Sequence, residues 1–162
     1  VTEALAALLV RSPTVVPANT LLVVIAGLML LAAIDVWREE VEDWAIAALL
    51  GIAVIGLHLE GILAQQWVGA VLAASVAFLI YLNLGQRGVL GGGDVKLSVV
   101  PAFVLGAANP LAGVWWIAGA ILIHQALFVI IARTRRSREA IPHVPAMAAA
   151  TWASTFVFMS IM

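Results

Sequence analysis

The sequence predicts an all-α, polytopic membrane protein, and three observations carry that prediction. Only 10% of the 162 residues are charged and 64% are hydrophobic, whereas soluble domains carry about 25% charged side chains. With a mean hydropathy of +1.13, there is too little polar surface to face water on every side. The apolar residues fall in continuous runs, and a helical span takes about 20 such residues. The basic residues stand in groups between the runs, the pattern that sets orientation in a bilayer. Six runs account for about 120 residues at that length, so residues 1–162 form a single membrane-embedded domain.

Residues 1–19 contain the apolar stretch Ala4–Val10, too short to span, and predict an interfacial lead-in. Glu3 and the lack of a basic start argue against a secretion signal. The first span covers 20–36, opened near Pro17 and closed by Asp35, Trp37 and Arg38. An acidic loop with Glu39, Glu40, Glu42 and Asp43 leads into a second span over 44–59. His58, Glu60 and Gly61 mark the turn to a third, over 63–84, with Trp67 near its start and Tyr81 and Asn83 near its end. The fourth segment, 94–106, is short and contains Pro101. Asn109 and Pro110 open the fifth span, 110–132. Arg133, Arg135, Arg136 and Arg138 follow it, and a proline-bracketed loop leads to the sixth, 143–162.

Cytoplasmic loops concentrate Lys and Arg. Placing Arg38, Arg87, Lys96 and the 133–138 arginines on one face requires an even number of crossings between each group, which makes the fourth segment a span. Both termini are then exoplasmic. Trp37 and Trp44 fit a cytoplasmic aromatic belt and Trp67, Trp115 and Trp116 the outer one, while Trp152 lies inside the last span and predicts packing. His124, Gln125, Ser75 and Asn83 predict hydrogen bonds between helices, the usual role of polar side chains in spans. His143 reads as a solvated loop residue.

The chemistry centres on GGGDVKL, Gly91–Leu97. An ionisable pair at a membrane boundary is a functional candidate, and glycines permit φ > 0 and close approach by a substrate backbone. The bland reading is a turn with Asp94 as a helix N-cap. The topology supplies a partner, because it sets Asp35 and Asp94 on one face at similar depth. Two carboxylates there can share a proton and activate water between them. Zero cysteines exclude a thiol nucleophile and a Cys-based zinc site, and three scattered histidines show no ligand spacing. No metal, cofactor or nucleic-acid partner is expected.

These residues resemble those of the type IV prepilin peptidases, membrane aspartyl proteases with a GxGD motif that include the archaeal preflagellin peptidases. GGGDVKL is close to the family's second motif, which assigns the second catalytic aspartate to Asp94. The first motif is an aspartate followed six to eight residues on by Ile-Pro-Asn or Ile-Pro-Asp. Asp35 is followed at that spacing by Val41, Glu42 and Asp43, with Glu42 in place of proline. IPHVPAMA, from Ile141 to Ala148, resembles the family's Ile-Pro-x-Gly-Pro segment, with Val144 where glycine is usual.

The resemblance implies cleavage of the cytoplasmic leader from pilin-like precursors at the cell membrane. Bifunctional members also N-methylate their product through a region bearing zinc cysteines. The short, cleavage-only type is expected here, without methyltransferase activity. Such substrates carry a basic leader, which makes Glu39, Glu40 and Glu42 candidates to receive it. Gly91, Gly93 and Lys96 are further substrate-binding candidates. Lys96 would strengthen the field at the dyad, although a lysine snorkelling to the interface is the plain reading. Two other readings fit parts of the sequence: a presenilin-like GxGD peptidase, and a non-catalytic transporter or assembly subunit. The helix ends predict the resting proton on Asp35, at the negative C-terminal end of span one, and an ionised Asp94 at the positive N-terminal end of span four.

Overall fold

The computed structural model describes residues 17–38, 41–134 and 142–161. Among them the chain is entirely helical: α1 (Ala18–Arg38), α2 (Asp43–Leu59), α3 (Ala64–Gln86), α4 (Gly92–Leu97), α5 (Val99–Ala108), α6 (Pro110–Thr134) and α7 (Val144–Ile161). These follow the six predicted segments in order, with the fourth broken into α4 and α5 at Ser98. Three helices are long and apolar enough to cross a bilayer, Ala18–Arg38, Ala64–Gln86 and Pro110–Ile130, while Asp43–Leu59 and Val144–Val157 are shorter apolar helices. The predicted lead-in lies mostly outside the described residues.

The short α5 is the centre of the molecule. Every residue from Val100 to Ala108 is buried, as expected of a helix that is hydrophobic all round. It packs on α3 and α6 through small residues, which let helix backbones approach closely in the absence of a hydrophobic drive from lipid. A Cβ on Gly106 would stand 2.5 Å from the Ala73 Cβ and 2.8 Å from the Gly69 carbonyl oxygen, and one on Gly113 would stand 2.6 Å from Ala73. Gln66 reinforces the seam. Its Oε1 accepts from the Leu63 amide at 3.0 Å, closing the start of α3, while its Nε2 donates to the Ala107 carbonyl at 3.2 Å.

Polar side chains also fix the helix ends that lack intrahelical partners. Glu60, at the end of α2, accepts the Thr20 amide at the start of α1 at 2.9 Å. Asn109 caps α6 by accepting the Leu111 amide at 2.9 Å, with Pro110 in the first position, where a missing N–H costs nothing. Positive φ occurs at Gly61 and Gly88, in the turns after α2 and α3.

Several individual expectations are corrected. Trp116 is fully buried rather than set in an outer belt, and Trp152, expected to pack inside, is 56% exposed and contacts Phe156 along its own helix. Packing decides both, since Trp116 finds acceptors on α7 for its indole N–H, at Thr151 Oγ1 (2.8 Å) and the Met147 carbonyl (3.3 Å). Ser75 bonds back to Val71 on its own helix at 2.8 Å instead of bridging helices, the local option open to serine in a helix.

Candidate active site

Asp35 lies three residues before the end of α1, and its side chain is turned inward, leaving the residue 7% exposed. Asp94 lies in the first turn of α4. Both line one open cavity of about 610 Å³, together with residues 41–43, the glycines 91–93 and Lys96. The structure thus brings together Asp35, Asp94, Glu42, Gly91, Gly93 and Lys96; Glu39 and Glu40 lie outside the described residues.

Asp94 is not an N-cap. It is the third residue of α4, and its Oδ2 reaches back to accept the Gly91 amide at 3.1 Å, the return half of a capping box. Gly91 itself has φ −73° and ψ 157°, ordinary extended backbone, so the glycines are not there for a left-handed turn. Their use is spatial. Nothing stands within 4 Å of a Cβ built on Gly92, and the Val41 carbonyl oxygen is 3.6 Å from one on Gly93, so side chains here would project into the cavity.

Lys96 does not face the dyad. Its Nζ donates to both Asp43 oxygens, at 2.7 and 2.6 Å, tying α4 to the start of α2. Glu42 accepts the Trp44 indole N–H at 3.0 Å and lies 3.8 Å from the Arg38 guanidinium. Its carboxylate is therefore already engaged within the loop, while still lining the cavity.

Asp35 is held from an unexpected side. The Val144 amide, at the start of α7, donates to Asp35 Oδ2 at 3.3 Å. The residue before it, His143, is 3% exposed rather than solvated, and its Nε2 is 3.1 Å from the fully buried Tyr81 hydroxyl. His124 meets the His143 ring edge-on at 4.5 Å. The His124 Nδ1 has no hydrogen-bond partner among the described residues, so it does not make the expected bond between helices through that atom.

The proton placement expected from helix ends is opposed by these contacts. Asp94, on a short helix apart from the three long apolar ones, is raised from 3.8 to about 6. Burial is the main cause, offset by the Gly91 hydrogen bond and supplemented by the charge of Asp35. The Lys96 charge, expected to oppose this, is taken up by Asp43, and the free amide of a helix start serves Asp35. Among the described residues no group of three or more His, Asp or Glu is placed to hold a metal.

Tyr81 and Val144 were legible in the sequence only as a residue near a span end and a departure from a motif. A tyrosine in the last turns of an apolar helix is the one signal that pointed here, since its hydroxyl must find a partner when buried.

These features define a helical protein suited to a membrane, with two carboxylates from separate helices opening on one cavity. The chain belongs to the type IV leader peptidase family, whose sequence model matches residues 22–160. It is a peptidase by that membership. No curated protein and no solved structure matches it.

Proposed function

We propose that the protein is an aspartyl endopeptidase that removes the cytoplasmic leader from pilin-like precursors, using water activated between Asp35 and Asp94. The observation that carries this reading is that the two aspartates, 59 positions apart in sequence, line the same open cavity. Family membership favours prepilin-type substrates over those of presenilin-like enzymes, and supports catalysis over a transport or assembly role. The reading includes the six-span topology, with the dyad near the cytoplasmic face of the cell membrane and both termini exoplasmic.

In the reaction, one carboxyl group is protonated and the other ionised, since like charges so placed disfavour double ionisation. The raised Asp94 and the amide-held Asp35 support Asp94 as the acid and Asp35 as the base. Asp35 takes a proton from the water that attacks the scissile carbonyl, and Asp94 protonates the developing oxyanion. Collapse of the tetrahedral intermediate then breaks the C–N bond: Asp35 passes its proton to the leaving amine nitrogen, Asp94 recovers a proton from the intermediate's hydroxyl, and the leader departs with a new carboxyl group. The side-chain-free 91–93 segment leaves room for an extended substrate backbone beside the dyad. Acidic groups at 39, 40 and 42 would attract a basic leader.

The decisive experiment incubates purified protein with pilin-like precursors and identifies the products by mass. Cleavage after the leader by wild type, with none by Asp35→Asn or Asp94→Asn, is the expected result. Equal cleavage by either variant would refute the dyad.

A further inference from the structure

We propose that Tyr81 is a positioning residue for the dyad: its hydrogen bond to His143 fixes the residue that opens α7, and so aims the Val144 amide at Asp35. This rests on the aspartyl reading above and adds to it a set of residues that touches no substrate.

The chain of contacts is continuous. Trp116 on α6 lies parallel to the Tyr81 ring, with centroids 6.0 Å apart and planes at 14°. The Tyr81 hydroxyl meets His143 Nε2 at 3.1 Å. The His143 carbonyl accepts the Ala146 and Met147 amides at 3.0 and 3.2 Å, which makes it the first acceptor of α7. The next amide, Val144, is one of those that a helix start leaves without an internal partner, and it donates to Asp35. Tyr81, His143, Val144 and Asp35 are all buried.

Two physical points give this chain a role beyond packing. A phenylalanine would fill the Tyr81 site without burying a hydroxyl, and a buried hydroxyl is costly unless bonded. The bond to His143 is therefore what the hydroxyl supplies. The Val144 to Asp35 bond, at 3.3 Å, is near the long limit of the hydrogen-bond range, so a shift of a few tenths of an ångström at His143 is enough to lose it.

The test uses full-length protein in three variants. Tyr81→Phe should lower kcat by about tenfold or more, the scale expected when a reacting group is misplaced by a fraction of an ångström, with KM within about twofold of wild type. His143→Gln, which keeps a polar group near the Nε2 position, should retain more activity than His143→Leu. Thr151→Val removes another buried hydrogen bond of α7, from Trp116, and should lower the melting temperature without an effect of that size on kcat. Infrared difference spectra of isotope-labelled aspartate, taken in Asp94→Asn so that Asp35 is read alone, should show the Asp35 carboxyl band displaced by Tyr81→Phe.

An Asp35 band unmoved by Tyr81→Phe overturns the proposal whatever happens to the rate, and so does a kcat within twofold of wild type. If wild type cleaves no pilin-like precursor, the functional reading fails separately and the Asp35 band alone decides the positioning role.

Discussion

Lys96 Nζ and Asp43 Oδ2 are 2.6 Å apart, so the lysine that follows the GGGD segment is paired with the aspartate that begins α2 rather than with either member of the dyad. The pair spans the rim of the cavity, with side chains 52% and 72% exposed. Ion pairs this exposed contribute about 0–1 kcal/mol, because water screens them and two long side chains must be ordered. A double-mutant cycle of Asp43→Asn and Lys96→Met should therefore give a coupling energy below about 1 kcal/mol that shrinks with added salt. Asp43→Asn should keep most of the activity. Complete loss in that variant would make Asp43, rather than Asp35, the first catalytic carboxylate.

Asp35 and Asp94 should behave as one unit. If they share the catalytic proton, Asp35→Asn and Asp94→Asn each abolish turnover, and the double variant is no slower than either single one, as for other groups that act together. Rates of all three against wild type, with one precursor, check this. Losses that multiply in the double variant would show two independent contributions.

Glutamine at 39, 40 and 42 together should raise KM at low ionic strength, with a smaller change in kcat, and the difference should fade as salt is added, because such charges steer and hold a basic segment at a distance. Glu42 is already bonded to Trp44 and lies near Arg38. Changed alone, it should have only a small effect on KM. A KM for the triple variant equal to that of wild type at low salt would remove the acidic loop from substrate binding.

The small-residue seam predicts a contrast between two glycines. Gly106→Ala would place a Cβ 2.5 Å from that of Ala73 and 2.8 Å from the Gly69 carbonyl oxygen. Neither neighbour is the flexible end of a side chain, so helices α3 and α5 must separate. Overpacking of this kind costs about 1–3 kcal/mol. Gly51→Ala, in α2 with nothing within 4 Å of the new Cβ, should instead be neutral or stabilising by up to about 1 kcal/mol from helix propensity. Thermal unfolding in detergent compares them, and equal melting temperatures would contradict the packing argument.

The sequence made the helical class and the order of segments legible because both rest on long apolar runs, a signal that survives without tertiary information. Asp35 and Asp94 stood out for a related reason, as carboxylates at the edges of such runs. What it did not reveal depends on side-chain direction. Nothing in the spacing says that Lys96 turns towards Asp43, that Trp116 faces inward while Trp152 does not, or that His143 is buried. The break at Ser98 was hidden as well, since a run of apolar residues looks the same whether it crosses lipid or is enclosed by neighbouring helices. The helix-end argument for the proton was incomplete for a similar reason. It weighed the dipoles of α1 and α4 but had no means of including the start of α7, which is 109 residues from Asp35.

The raised Asp94 has a consequence for stability that separates it from Asp35. Its carboxyl titrates at about 6 in the folded protein against 3.8 as the ordinary value, chiefly through burial. The folded state therefore binds this proton more tightly than the unfolded chain does. The sign follows from proton linkage: stability from this group is fully present below about pH 4, falls as pH rises through the window from about 4 to 6, and is lost above it. At neutral pH the ionised, largely buried Asp94 is therefore a cost to the fold. Asp94→Asn should then be more stable than wild type at pH 7, and the difference should disappear by about pH 4. Because burial outranks the charge of Asp35 among the causes, Asp94 should still titrate above the ordinary carboxylate range in Asp35→Asn, read by its carboxyl stretch. Unfolding in detergent at several pH values measures the first effect and infrared titration the second. An Asp94→Asn variant no more stable than wild type at pH 7, together with an Asp94 titration near 4, would return the resting proton to Asp35.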